Sequence, residues 1–259
     1  MNIVVCVKQT VDTAAVISVE GGMVSWGDTP LVLNPWDEFA VEEGLRIREA
    51  HGGTVTALTV GKESAQEALR SALAMGADEA LLIKDDGLSG ADSLVISAVL
   101  AGAVQKLGDV DLVLFGREAV DSNAGVLSAQ VARRLHWPSL PLVACISALD
   151  PASKSLDVER MLDQGRQHVR ASLPAVISVV KEINEPRYAS FIGIRKASRV
   201  DIPVWGVDDL GVPVPDPGVA WLTVENAPQQ DVACEFIEAP DEVAAARALV
   251  ARLREEKVL

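Results

Sequence analysis

The 259-residue chain predicts an α/β fold built on a doubly wound, mostly parallel sheet with helices on both faces. Short β-branched runs alternate with helical patterns from the N-terminus to about residue 180, the order that builds βαβ units. Aromatic residues make up only 4% of the chain while Ala, Val and Leu dominate, which suits helices laid on a sheet better than a β-sandwich. The strand candidates are near-continuous apolar runs, as strands covered on both faces require.

Those strands are Ile3 to Val7, Thr54 to Val60, Glu79 to Ile83, Leu112 to Phe115, Leu142 to Ile146 and Ala175 to Val180, all expected to be central and doubly buried. A first helix over Asp37 to Arg48 places Ala40, Val41, Gly44, Leu45 and Ile47 on one side and Glu42, Glu43, Arg46 and Glu49 on the other. The next is expected to open with Ser64 and Glu67 as a capping box and to stop at Gly76. A third runs from Ser93, and a fourth follows Asn123 to about Leu135. Residues Ser155 to Arg160 and Gln167 to Ser172, on either side of Asp163-Gln164-Gly165, read as a β-hairpin. Beyond Lys181 prolines punctuate a stretch of little periodicity, and the core domain is expected to end there. The chain closes on an amphipathic helix over 241–256 whose apolar face needs a surface, either its own domain or, more often for so long an arm, a partner.

Charge and motifs narrow the function. A net charge of −14 repels a phosphate backbone, so nucleic acid is not expected as a ligand. Cys6, Cys145 and Cys234 are far apart and odd in number, which suggests neither a disulfide framework nor a zinc site and fits a reducing compartment. Met1 leads straight into the first strand with no leader-like pattern, so a cytoplasmic location is expected. The apolar stretch Leu94 to Val104 falls short of the roughly 20 residues that cross a bilayer, and membrane insertion is not expected. The chain lacks the P-loop, GxGxxG, GxSxG and HExxH signatures, and its three histidines have no partner at ligand spacing. Turnover of a substrate is therefore not expected.

In an open parallel sheet, ligands bind outside the carboxyl ends of the strands. Three loops there are informative: Lys8 to Thr13, Leu33 to Trp36, and Gly116 to Gly125. The last leads into a helix and fits two uses. Its backbone N–H groups suit a phosphate, and Asp121, Ser122 and Asn123 suit plain helix capping.

Asn184-Glu185-Pro186-Arg187-Tyr188-Ala189-Ser190-Phe191, followed by Gly193-Ile194-Arg195-Lys196-Ala197, resembles the signature loop of electron-transfer flavoprotein β subunits. The resemblance extends to Val5-Cys6-Val7-Lys8-Gln9, Leu33-Asn34-Pro35-Trp36-Asp37, Ala72 to Asp78, Gly116-Arg117, Leu135 to Pro138, Val158-Glu159-Arg160 and Leu173 to Val176, so it spans nearly the whole chain. It implies an electron carrier subunit that scaffolds an α subunit bearing the redox-active FAD and that holds a structural AMP. In the electron-bifurcating branch a second FAD takes the place of AMP. The implied nucleotide contacts are Cys6 and Asn34 near the adenosine, then Ala119, Asp121, Ser122, Asn123, Gly125, Val126 and Leu127 around the phosphate. The implied partner contacts are Pro186, Arg187, Tyr188 and Phe191, the last standing where relatives carry an exposed Leu that anchors on a dehydrogenase. Partners so implied are the α subunit, acyl-CoA or other flavin dehydrogenases, and an electron-accepting quinone oxidoreductase.

On this resemblance the chain divides into a nucleotide-binding domain over 1–183, a recognition loop over 184–200 and an arm over 201–259 that clasps the α subunit. Thr13 stands where some relatives place an aromatic near the flavin, and Met161 where some carry an acid, so no redox residue is assigned. Two rivals on similar folds are a stand-alone adenine-nucleotide module of the universal-stress type, which needs no such recognition loop, and an ATP-pyrophosphatase-type ligase. The ligase needs a Ser-Gly-Gly-x-Asp-Ser phosphate loop where this chain has Lys8-Gln9-Thr10-Val11-Asp12.

Overall fold

The computed structural model describes residues 1–226, 228 and 234–259, in two compact units, Met1–Val224 and Glu225–Leu259. The first holds a nine-stranded sheet. In chain order the strands are β1 (Asn2–Cys6), β2 (Gln9–Val11), β3 (Ser18–Glu20), β4 (Met23–Ser25), β5 (Leu31–Leu33), β6 (Thr54–Val60), β7 (Glu79–Ile83), β8 (Leu112–Phe115), β9 (Ser139–Asp150), β10 (Ser155–Leu162), β11 (Gly165–Ser172), β12 (Ala175–Val179) and β13 (Val204–Trp205). The helices are α1 (Pro35–His51), α2 (Gln66–Met75), α3 (Ser93–Leu107), α4 (Leu127–Leu135), α5 (Phe191–Ala197) and α6 (Glu242–Glu255).

The main sheet runs β11-β10-β9-β12-β8-β1-β6-β7-β13, with β1, β6, β7, β8 and β12 parallel. Alternation along the strands divides the interior in two. Ile3, Val5 and Val7 join Val41 and Leu45 of α1 and Leu69 of α2 in one layer, while Val4 and Cys6 join Val99 of α3 and Val131 of α4 in the other. Helices therefore cover both faces, as a sheet of near-continuous apolar strands requires. The chain steps outward from β1 to β6 and β7, then α3 returns it to β8 on the far side of β1. The winding reverses between β1 and β8, and a crevice opens outside their carboxyl ends.

Several sequence expectations are corrected. The strand expected over 142–146 runs from Ser139 to Asp150, pairs antiparallel with β10, and is exposed over part of its length. The capping box at Ser64 does not form: a 3₁₀ turn over Glu63–Ala65 precedes α2, and Ser64 Oγ donates to Gln9 Oε1 at 3.1 Å. Glu42 and Glu43 are not on a solvated face. They are 5% and 8% exposed because the segment after β12 folds across α1: Arg187 Nε donates to Glu42 Oε2 at 2.7 Å, and Asn184 Nδ2 to Glu43 Oε2 at 3.0 Å. Periodicity cannot separate a solvated carboxylate from one covered by a distant arginine.

The chain also does not leave the core near residue 183. β13 adds the sheet's ninth strand against β7, and Ile202 and Leu210 are buried in the two layers. Gly102 of α3 has no room for a Cβ, which would lie 2.5 Å from Val212 Cγ2. The arm expected over 201–259 includes residues 227 and 229–233, which lie outside the described residues. The second unit carries α6, capped by Asp241, whose Oδ1 accepts from Ala244 N at 2.8 Å. No residue of α6 is buried, and Val243, Leu249 and Val250 are exposed apolar positions on it.

Because Leu210 is a core residue rather than part of a loose arm, Leu210→Ala should cost about 2 to 3 kcal/mol and lower the melting temperature by about 5 °C or more. A melting curve that overlays wild type would show that residues 202–214 contribute no packing.

Candidate functional site

The loop after β8 carries most of the expected nucleotide contacts, and three side-chain interactions shape it. Asn34, 1% exposed at the start of α1, does not cap its own helix. Its Nδ2 donates to Glu118 O at 2.9 Å and its Oδ1 accepts from Val120 N at 3.1 Å. Asp37, one turn further on, accepts from Lys8 N at 2.8 Å through Oδ2, and the Gly116 N–H and the Asn34 side chain also bond its carboxylate. Lys8 Nζ then reaches Asp121 at 2.6 Å. The loops after β1 and β8 are thus tied to the first turn of α1 across the crevice.

Gly116 is required by this packing. A Cβ there would lie 2.5 Å from Asp37 Oδ1 and 2.6 Å from the Trp36 backbone. Above it, Arg117 stacks on the Trp36 ring at 5.5 Å and pairs with Glu118 at 3.5 Å.

The fourth helix starts later than the sequence suggests. Residues 122 and 123 form a turn on Ala119 O, Asn123 and Gly125 have φ of 48° and 60°, and α4 begins at Leu127 with no side-chain acceptor at its N-cap, Val126. The capping role weighed for Asp121, Ser122 and Asn123 is therefore not realised. What remains is a loop of exposed backbone ending on the open N-terminus of a nine-residue helix, where backbone N–H groups and the helix dipole both favour an anion. The left-handed conformation at Gly125 leaves the loop without a side chain where the chain turns into α4.

Asn34 is hydrogen-bonded to this loop, and Asp121, Ser122, Asn123, Gly125 and Val126 are exposed along it, with Ala119 and Leu127 half-buried. Cys6 is different. Its side chain is buried in the α3–α4 layer, and burial, reinforced by the Asp37 charge, pushes its thiol up. Lys8, Asp37 and Gly116 lie in loops and motifs that the sequence singles out, but the sequence assigns none of them a role. Asp37 is placed by the sequence at the start of the first helix, and the pairing of β1 with β8 shows what it holds.

The segment after β12 forms a second feature. Tyr188, Phe191 and Ile192 are 99%, 93% and 82% exposed, so Phe191 is not a core residue. Phe191 opens α5 rather than projecting from a loop, with Ser190 as N-cap accepting from Gly193 N at 3.0 Å. Gly193 lies inside that helix, where its Cα approaches Ala74 O too closely for a side chain. Pro186 is half-buried. Arg187, expected to contact a partner, is bonded within the chain to Glu42 and Glu49.

The fold and the crevice define a doubly wound α/β protein with an uncapped helix N-terminus at its switch point. The sequence model of the electron transfer flavoprotein domain matches residues 27–210. Electron transfer flavoprotein subunit beta of Bacillus subtilis is 34% identical over 258 residues, covering 99% of this chain and 98% of that one. Protein FixA of Azorhizobium caulinodans is 36% identical over 82% of this chain and 77% of its own. The caffeyl-CoA reductase-Etf complex subunit CarD of Acetobacterium woodii is 40% identical, over 82% and 80%. The chain belongs to the electron-transfer flavoprotein family, as an electron-transfer subunit of the β type. Membership sets aside the stand-alone universal-stress module and the ligase. Among the described residues no helix is long and apolar enough to cross a membrane.

Burial raises the Asp37 carboxyl to about 7, against the lowering effect of the donors around it. A carboxyl whose folded value lies above its unfolded value of 3.8 contributes stability that is fully present at low pH and is lost as pH rises through about 7. Wild-type melting temperature should therefore fall more steeply between pH 5 and pH 8 than that of Asp37→Asn, by about 5 °C over the interval. Parallel slopes would mean that Asp37 does not titrate in that window.

Proposed function

We propose that this chain is the β subunit of a heterodimeric electron-transfer flavoprotein and that the crevice between β1 and β8 holds one AMP as a structural ligand. The observation that carries the reading is the open α4 N-terminus at the switch point, with the loop before it fixed by Asn34 and Asp37. An adenine nucleotide fits that arrangement. The backbone of 122–128 would take the phosphate, Asn34 and the end of β1 at Cys6 would border the adenosine, and the glycines at 116 and 125 keep the approach clear of side chains.

Electrons in this reading pass through an FAD held mainly by an α subunit, and this chain contributes scaffold and docking surface without turning over a substrate. The exposed Tyr188–Phe191 edge receives acyl-CoA or other flavin dehydrogenases, and the reduced complex delivers to a quinone oxidoreductase. The second unit, with its unburied α6, is read as the part that clasps the α subunit. The spacing of the cysteines supports a cytoplasmic setting.

Mass spectrometry of the nucleotide released on denaturing the purified heterodimer should find AMP at one equivalent beside one FAD. Gly125→Leu, strained at φ 60°, should lose most of the AMP while the FAD stays. Two equivalents of FAD and no AMP would place a second flavin in the crevice, and an unchanged AMP content in Gly125→Leu would refute the placement at this loop.

A further inference from the structure

The apolar edge formed by Tyr188, Phe191, Ile192 and Ile194 is exposed, yet the backbone that carries it is tied down on both sides. On one side Asn184 Nδ2 donates to Phe39 O and to Glu43 Oε2, each at 3.0 Å. Arg187 then faces two carboxylates seven residues apart on α1, a spacing of two turns that puts both on one helix face. Its Nε and Nη2 donate to Glu42 at 2.7 and 3.0 Å, its Nη1 and Nη2 donate to Glu49 at 2.6 and 3.1 Å, and its backbone N–H reaches Glu42 Oε2 at 3.2 Å.

On the other side Arg70 of α2 donates from Nη1 to Ala197 O at 2.7 Å and to Val200 O at 3.1 Å, closing the C-terminal end of α5. Between the anchors, Gly193 lets α5 lie directly on the end of α2, and Ala197 is buried. An arginine meant to reach a partner would keep its fork open. Here both carboxylates are met in the free chain, and Glu42 is too buried to be shared with another protein. A planar, bidentate guanidinium fixes orientation in a way that an ammonium cannot.

We propose that Arg187 is a positioning residue for partner docking. With Asn184 and Arg70 it holds the 188–194 edge against α1 and α2, so that the exposed aromatic pair meets a flavin dehydrogenase already in its bound geometry and association does not carry the cost of ordering it. This inference rests on the docking role read for Phe191, and the two can fail separately.

The test uses the flavin-loaded heterodimer with a purified acyl-CoA dehydrogenase reduced by its acyl-CoA substrate, comparing Phe191→Ala, Arg187→Ala, Arg187→Lys, the milder Glu49→Gln and the double variant Arg187→Ala/Phe191→Ala. Arg187→Ala should raise KM for the flavoprotein about tenfold with kcat within twofold, and Arg187→Lys and Glu49→Gln should fall between it and wild type. In the double variant the Arg187 change should add little to Phe191→Ala, because the two act through one contact. Amide exchange over 188–194 should quicken in Arg187→Ala and Glu49→Gln while β1, β6 and β8 keep wild-type protection. If Phe191→Ala raises KM while Arg187→Ala and Glu49→Gln leave it unchanged, or if the two effects simply add, the positioning role is overturned and the docking role stands. If Phe191→Ala itself leaves KM unchanged, the docking role fails and this inference fails with it.

Discussion

Asp37 sits where three segments with no proximity in sequence must meet: the exit of β1 at Lys8, the exit of β8 at Gly116 and the first turn of α1. A carboxylate as buried as this one is tolerable only because donors surround it. Those donors are the constraint on which the crevice depends. The reversal of winding between β1 and β8 opens a gap in any doubly wound sheet. In this chain the gap is bridged from below by one acid, and Asn34 extends the bridge along the loop to Glu118 and Val120. The loop can then stay polar, exposed and ligand-ready at its outer edge without collapsing onto α4.

The same helix also anchors the segment after β12. α1 is a single run of 17 residues that carries Asn34 and Asp37 at its start and Glu42, Glu43 and Glu49 further along. The crevice between β1 and β8 and the anchored 188–194 edge are thus mounted on one rigid element. That arrangement explains why Asp37, Glu42 and Glu43 of α1 do not face water: they are matched, by backbone N–H groups at its start and by Arg187 and Asn184 further on. Burying Glu42 against Arg187 is weak evidence for stability in general, but it is good geometry for holding an exposed apolar edge still.

Most of the fold was legible because parallel strands covered on both faces leave a strong one-dimensional trace. The runs at Ile3, Thr54, Leu112 and Ala175 all became central strands within a residue or two. The small pairs β2–β5 and β3–β4 left no such trace, since three-residue strands in a polar stretch lack periodicity. β13 was hidden by Pro203, which reads as a breaker but precedes a strand at the sheet's edge, where proline is tolerated. At the site, the sequence pointed to the loop after β8 but not to what fixes it. Asp37, Lys8 and Gly116 act through pairings set by sheet order, and Arg187 looked like a surface contact because the two glutamates it bonds lie some 140 residues away in sequence.

The central claim is that the bridge from α1 builds the nucleotide crevice, and Asn34 tests it directly because its side chain holds the loop at both Glu118 and Val120. Calorimetric titration of AMP into nucleotide-stripped heterodimer, wild type against Asn34→Ala, measures this. The account predicts a loss of affinity of about tenfold to a hundredfold, the worth of one or two buried hydrogen bonds that order the site, with flavin content unchanged. Equal affinities in the two proteins would contradict it.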